Sequence, residues 1–343
     1  MIPTLPISPS LIRAHEDKFH ALTEKFERQG KIHPTLLITG VDGVGKRSMV
    51  THLIQRIFCD QPGTGLSACG TCKSCKRASQ GQWLDLIWLS PDQGDEDARM
   101  GVHKIDAFRE LKTKLGMGPS EEPYRIVVIA NADRMTTPAA NSILKTLEEP
   151  PPNWIFILTA VDSSRLLPTI LSRCMEIKLK PLGNDEVFQI LKEIQGNDFH
   201  SAKAGVASRA SEGSISRARF FMDEETWKIR DQILGLLSNP ASEWMKLVET
   251  LATSQKTLQL SMDLIESLMM DILKYKIEPS HRWVHDDQKD FLIQWSEAKK
   301  VSTGKILSLM NAIAEKRQFT TLTLNSKLLA QETLIPLLET VVS

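Results

Sequence analysis

The sequence predicts an α/β P-loop fold: a parallel sheet covered by helices on both faces, then a small helical domain and an all-α C-terminal domain. Three observations predict it. A strand-like run leads through a glycine-rich turn into a helical segment, in LLITGVDGVGKRS and the MVTHLIQRIF that follows it. Strand and helix patterns then alternate to about residue 180. From Asn184 onward nothing has the pattern of a strand.

Residues 1–35 read as two helices, the second from Glu16 to Gln29 with Phe19, Leu22 and Phe26 on one face. Leu36, Leu37, Ile38 and Thr39 form a buried strand, and the helix after the glycine turn runs to about Ile57. A cysteine segment, Cys59–Cys75, is inserted before a second strand, Leu84–Leu89. Ser90–Met100 is polar and acidic, a loop. Val102–Leu115 places Ile105, Phe108 and Leu111 at amphipathic spacing. YRIVVIA, from Tyr124 to Ala130, is a continuous β-branched run of the kind central parallel strands carry. Pro138–Glu148 is helical, with proline near its start, and Pro150, Pro151 and Pro152 end it. Trp154–Thr159 is a strand, Leu166–Leu171 a short helix and Met175–Leu179 a last strand. Pro181 marks a boundary. The expected domains are 1–181, holding the sheet and the cysteine insert at 59–75, then 182–222, a small helical domain, and 223–343, a helical domain. In the small domain, helices fall at Asp185–Ile194 and Ala202–Glu212, ending at a Gly213 turn. In the last, Leu258, Met262, Ile265, Met269 and Ile272 make one apolar stripe and Leu324, Leu328 and Leu329 begin another. These stripes read as core or subunit-packing residues rather than a methionine-lined ligand groove.

The bulk numbers narrow the function classes. A chain of 343 residues accommodates two or three domains with cores of their own. Lys plus Arg and Asp plus Glu stand at 42 each, so no net charge draws the chain to nucleic acid, a membrane surface or an acidic substrate. No run approaches the ~20 apolar residues of a membrane-spanning helix. The first residues, MIPTLPISPS, lack the basic and apolar regions of a secretion signal, so the expected location is cytoplasmic, with no membrane partner.

The glycine turn fits GxxxxGK[S/T] in its strand–loop–helix setting. Gly40, Gly43 and Gly45 let backbone N–H groups point inward at an anion, the helix N-terminus adds positive charge, and Lys46 reaches the outer phosphates. The motif wants Ser or Thr next, to hold Mg²⁺, and Arg47 stands there. Ser48 comes one residue late, about 100° further round the helix, and cannot substitute. The bland reading is a glycine turn that binds nothing.

Four of the five cysteines, Cys59, Cys69, Cys72 and Cys75, supply thiolates for one tetrahedral Zn²⁺. Gly70 turns the loop between them, and Lys73, Lys76 and Arg77 offset the charge. An iron–sulfur site fits less well, because its fourth cysteine lies downstream of C-x2-C-x2-C and here it lies upstream. With four thiolates and no open position evident, such a site is structural. Cys174 stands apart as a buried thiol.

NSILKTLEEPP (Asn141–Pro151) and LLPTILSRC (Leu166–Cys174), taken with the P-loop and the four-cysteine insert, resemble the clamp-loader branch of the AAA+ proteins, which serves bacterial DNA polymerase III. The resemblance is strong over residues 33–182, fair to about 220 and architectural beyond. It implies an AAA+ core, a small helical lid and a C-terminal collar. It also implies a hetero-pentamer with the other loader subunits, which opens a sliding clamp and places it on primer–template DNA in replication, with ATP at subunit interfaces. By that resemblance Arg173, between Ser172 and Cys174, reaches a neighbour's nucleotide; a charged planar guanidinium suits a transferring phosphoryl group. Without the resemblance, an ion pair with an interface carboxylate is an equal reading.

The departures matter as much. Active relatives carry Asp-Glu at the end of the central strand; here Ala130 and Asn131 stand there, with Asp133 three residues on as a bystander. Thr159-Ala160-Val161 at the sensor 1 position has an apolar pair, and in GSISRA, at sensor 2, Ser216 takes the usual arginine position with Arg217 one later. Lacking the metal hydroxyl and both acids, this chain is expected not to hydrolyse ATP, while its loop still takes ATP or ADP. The expected function is a non-hydrolysing loader subunit that supplies Arg173 in trans. The alternatives are an ATP-hydrolysing motor subunit of the same machine, a zinc-dependent nucleic-acid-binding module resting on Lys73–Arg77, and an unrelated nucleotide kinase, for which no acceptor-site lid is evident.

Overall fold

Parallel strands with both faces covered carry near-continuous apolar runs, and this chain builds its five-stranded sheet from four of them and an edge strand, MEIK, of mixed character. They are β1 (Thr35–Thr39), β2 (Leu86–Leu89), β3 (Arg125–Ile129), β4 (Trp154–Ala160) and β5 (Met175–Lys178). The sheet order is β2-β3-β4-β1-β5, with every pairing parallel. Leu37 pairs with Leu158 on one side and Glu176 on the other, which places β1 in the interior of the sheet. This is a computed structural model, and it describes residues 9–20, 22, 32–61, 68–83, 85–92, 101–116, 124–238 and 254–317.

The chain divides into two compact units, Met1–Asn197 with Gly213–Ser216, and Asp198–Glu212 with Arg217–Ser343. In the first, α1 (Pro9–Ala14) precedes the sheet, and residues 16–20 and 22 are again helical, with Phe19 and Leu22 buried as expected. Phe26 lies outside the described residues. α2 (Lys46–Ile57) follows β1 and packs on β4, burying Met49, Val50, Leu53 and Ile54. α3 (Lys73–Ser79) closes the cysteine insert. α4 (Ile105–Leu115) and α5 (Thr137–Glu148) pack on each other and cover the sheet face of Leu37, Val127, Ile129, Phe156 and Leu158 with Phe108, Leu111, Ile143 and Leu147. α6 (Pro168–Leu171) and α7 (Asn184–Gln195) complete the unit, α7 lying against α1.

The elements match the expected ones closely, with two corrections. The helix expected from Val102 starts at Ile105, because Val102 and His103 are bridged to Asp92 and Met135. His103 spends its N–H on Arg134 O and its carbonyl on Thr136 N, so its backbone is unavailable to a helix. The short helix expected from Leu166 starts at Pro168, since proline pushes the residue before it out of the helical region, and Leu167 is extended at ψ 135°. Leu84 and residues 93–100 lie outside the described set.

The second unit carries helices and no strand among its described residues: α8 (Ser201–Ala210), most of α9 (Ile215–Met222), α10 (Glu224–Ser238), α11 (Gln255–Ile277), α12 (Lys289–Ala298) and α13 (Thr303–Arg317). α11 packs against α10, α12 and α13, and the expected stripe of Leu258, Met262, Ile265, Met269 and Ile272 is its buried face. The stripe at Leu324, Leu328 and Leu329 lies outside the described residues. Asp271, fully buried on α11, accepts the N–H groups of Val284 (3.0 Å) and His285 (2.8 Å), which ties the turn after α11 back onto it. No helix among the described residues is long and apolar enough to cross a membrane.

Candidate functional site

In parallel α/β sheets ligands bind beyond the carboxyl ends of the strands, where the connections part. The glycine loop sits there, after β1. Gly40, Gly43 and Gly45 have φ of +150°, +75° and +104°, which side-chain-bearing residues rarely adopt, and Gly45 caps α2. Lys46 keeps 7% of its surface, and its Nζ donates to Gly40 O at 2.7 Å and Val41 O at 3.0 Å. Burial lowers its pKa, opposed by the carboxylates of Asp42 and Asp133. The backbone N–H groups of Lys46 and Arg47, at the head of α2, meet no acceptor among the described residues, which leaves an anion cradle. Arg47 turns its guanidinium over Trp88 of β2, 5.4 Å from the ring centroid, so a cation lies where the motif asks for a metal-binding hydroxyl. Ser48 is half-buried one residue further round α2.

The loop is enclosed. Gly43 O accepts the N–H of Ile215 at 2.9 Å, and a Cβ on Gly43 would fall 2.7 Å from Ser216 Cβ and against Ser214 Oγ. Ser216 thus lies directly on the loop, where the resemblance places an arginine. Leu11 covers Gly45, and His15 Nε2 is 3.0 Å from Val44 O. Leu11, Ile12, His15 and Phe19 close around Gly45 and Met49 without room for a water molecule.

Beside the loop, β3 is followed by Ala130 and Asn131, which bring no carboxylate to hold a metal or take a proton. Asn131, at φ +53°, donates its N–H to Thr159 Oγ1 at 3.0 Å, so the Thr159 hydroxyl holds backbone. Asp133, a bystander to metal chemistry in the sequence reading, carries a charge that acts on Lys46. A 3₁₀ turn, Ala132–Arg134, folds it back, and its Oδ2 accepts Val161 N–H at 3.3 Å while its charge supports Lys46. Its Oδ1 is buried with no hydrogen-bond partner. Proximity to Lys46 depends on that turn and not on strand position, which is why spacing along the sequence misses it.

Arg173 follows α6, two residues before β5. Its Nη1 donates to Thr169 O at 2.8 Å and Ser172 Oγ at 3.2 Å, and its Nη2 is 2.9 Å from Glu148 Oε2 on the last residue of α5. The side chain keeps 27% of its surface and its Nε is buried without an acceptor. Glu148 was not singled out from the sequence, although it lies inside NSILKTLEEPP; the pair links that stretch to LLPTILSRC.

The Sγ atoms of Cys59, Cys69, Cys72 and Cys75 all lie within 4.8 Å of one another. Backbone N–H groups point at sulfur: Cys69 N to Cys59 Sγ at 3.2 Å, Cys72 N to Cys69 Sγ at 3.3 Å and Cys75 N to Cys72 Sγ at 3.4 Å. Such donors favour thiolate; those from Cys72 and Thr71 bring the Cys69 pKa to about 6, whereas burial raises that of Cys75. Cys72 also caps α3, and Gly70 turns at φ +71°. Four convergent thiols with no oxygen or nitrogen ligand among them fit a structural d¹⁰ ion. Cys174 packs at the edge of the sheet core, where burial raises its pKa to about 12.

Comparison with known proteins adds the following. Residues 14–183 match the family model described as DNA polymerase III, delta subunit. The delta' subunit of DNA polymerase III from Escherichia coli is 31% identical over 247 residues, 71% of this chain and 71% of that protein. The delta' subunit from Haemophilus influenzae is 29% identical over 279 residues, 78% of this chain and 79% of that one. The tau subunit from Escherichia coli is 32% identical over 200 residues, which cover 57% of this chain but only 29% of tau.

Proposed function

The chain belongs to the family of delta' subunits of DNA polymerase III, and we propose that it serves the clamp loader of that polymerase as a subunit that does not hydrolyse ATP itself but presents Arg173 to a neighbour's nucleotide. One contrast carries this reading. At its own loop the chain has Arg47 for the metal-binding hydroxyl and Ala130-Asn131 for the two acids, yet it keeps an anchored arginine on the other side of the core. Phosphoryl transfer needs positioning and charge stabilisation, and a guanidinium donated across an interface supplies the second.

In this reading residues 1–181 are the AAA+ core, 182–222 the lid and 223–343 the collar through which the hetero-pentamer forms. The sliding clamp and primer–template DNA are met through the assembled complex, in the cytoplasm. Gly40, Gly43, Gly45, Lys46, Arg47 and Ser48 hold ADP or ATP in the cradle, with Leu11 and Ser214–Ser216 moving off the loop to admit it. Cys59, Cys69, Cys72 and Cys75 hold a structural Zn²⁺, which fixes the insert and has no part in the reaction. Arg217, one place after the expected position, pairs with Glu212 at 2.9 Å and takes no nucleotide role.

The test is the DNA- and clamp-stimulated ATPase rate of the reconstituted loader with the wild-type chain and with Arg173→Ala. The expected result is a fall of about 10²-fold or more, within reach of what such arginines contribute, with the complex intact by gel filtration. An unchanged rate would overturn the reading and leave the chain a scaffold.

A further inference from the structure

We infer that Glu148 is the positioning residue for Arg173: its carboxylate, on the last turn of α5, fixes the guanidinium in the attitude from which it meets a phosphate outside this chain. The inference rests on the reading of Arg173 as a donor to a neighbour.

The position of Glu148 is itself unusual. A carboxylate at a helix C-terminus faces the negative end of the macrodipole, where a cation is favoured. Arg173 supplies that cation from outside the helix, 2.9 Å away. Glu148 keeps 56% of its side-chain surface and Arg173 27%, so the pair adds little to folding and its value must lie in geometry. Thr169 O, Ser172 Oγ and Glu148 Oε2 hold the guanidinium from two edges, and the backbone of Arg173 is tied by its N–H to Ile170 O at 3.1 Å. A free arginine side chain would lose its rotamer freedom on reaching the transition state; one already held does not.

Donor accounting leaves something to present. Of the five guanidinium hydrogens, two on Nη1 and one on Nη2 are engaged, so the second Nη2 hydrogen and the Nε–H have no acceptor among the described residues. An oxyanion arriving from a neighbour takes the Nη2 hydrogen without dislodging Glu148.

The experiment is a double-mutant cycle in the reconstituted loader, reading kcat and KM for ATP at saturating clamp and primed DNA, with gel filtration and melting curves for each variant. Expected are a fall in kcat of about tenfold for Glu148→Ala with KM changed by less than about twofold, and partial recovery in Glu148→Asp. Glu148→Ala should have no further effect when Arg173 is already alanine, because nothing is left to position. The inference is overturned if Glu148→Ala leaves kcat unchanged or raises it while Arg173→Ala abolishes stimulation. A Glu148 loss that persists undiminished in the Arg173→Ala background, or that tracks loss of assembly, overturns it too. A silent Arg173→Ala overturns the donor reading first, and this inference with it.

Discussion

Arg125 and Asp85 show what a charge costs inside this sheet. The Asp85 side chain has no exposed surface and Arg125 keeps 16%, with Nε 3.0 Å from Oδ1. The guanidinium also lies over Trp154, 5.2 Å from the ring centroid. Removing the arginine takes the cation from a fully buried carboxylate, so Arg125→Ala should destabilise the chain by about 3 kcal/mol. Urea denaturation followed by tryptophan fluorescence measures this, and a loss below about 1 kcal/mol would show that Asp85 is adequately held by its other contacts. Arg125→Lys should recover only part, since an ammonium keeps the charge but not the planar stacking. At this scale the sequence names residues whose chemistry is local. Lys46 and the loop glycines are legible because a phosphate loop is one continuous segment, and the cysteines because three of four sit within seven residues of one another. Asp133 and Glu148 are not legible in the same way, because each acquires its role from a partner on a different element.

Among elements, the cysteine insert is the one in which four thiols converge on one point. Its helix α3 has seven residues, too few to stand alone in water, and it is capped by the thiol of Cys72. If Zn²⁺ joins the four thiolates, removing it with a strong chelator should expose the amides of residues 69–80 to hydrogen exchange while β1 and β4 stay protected. Cys72→Ser should reproduce that local loss. Protection unchanged by chelation would mean that the thiols hold no ion, and a simultaneous loss in the sheet would mean that the insert supports the fold. The strands were legible element by element, because TLLIT, RIVVI and WIFILTA are apolar throughout in the manner of strands buried on both faces. The start of α4 was not: Val102 and His103 fit the amphipathic pattern, and only the chain passing at Asp92 and at Met135 diverts them into bridges.

For the molecule as a whole, stability should depend on pH through the second unit. His285 is fully buried, its Nε2 3.0 Å from Ser267 Oγ, and its pKa lies near 3. Burial is the chief cause, with the cationic Arg230 and Arg209 adding to it and Asp287 opposing. The unfolded chain binds a proton at this histidine near pH 6.5 and the folded chain does not. Stability from this residue is therefore present above pH 6.5 and lost as pH falls toward 3, about 2 kcal/mol of it between pH 7.5 and 5. Asp271, whose pKa burial raises, works in the opposite direction and only near the carboxylate range. Denaturation of the full chain at the two pH values checks this, and His285→Gln should flatten the difference; an equal slope in that variant would place the titration elsewhere. By itself the sequence determined the parallel α/β core, the helices that follow it, the glycine loop with its lysine and the thiol cluster. Each of these is written in residues close along the chain, whose spacing alone sets their geometry. The tertiary structure decided that Asp133 supports Lys46, that Leu11 and Ser216 close over the loop, and that Glu148 holds Arg173. Those contacts join segments separated by tens to hundreds of residues, and no local pattern encodes which distant side chain the fold will bring within hydrogen-bond reach.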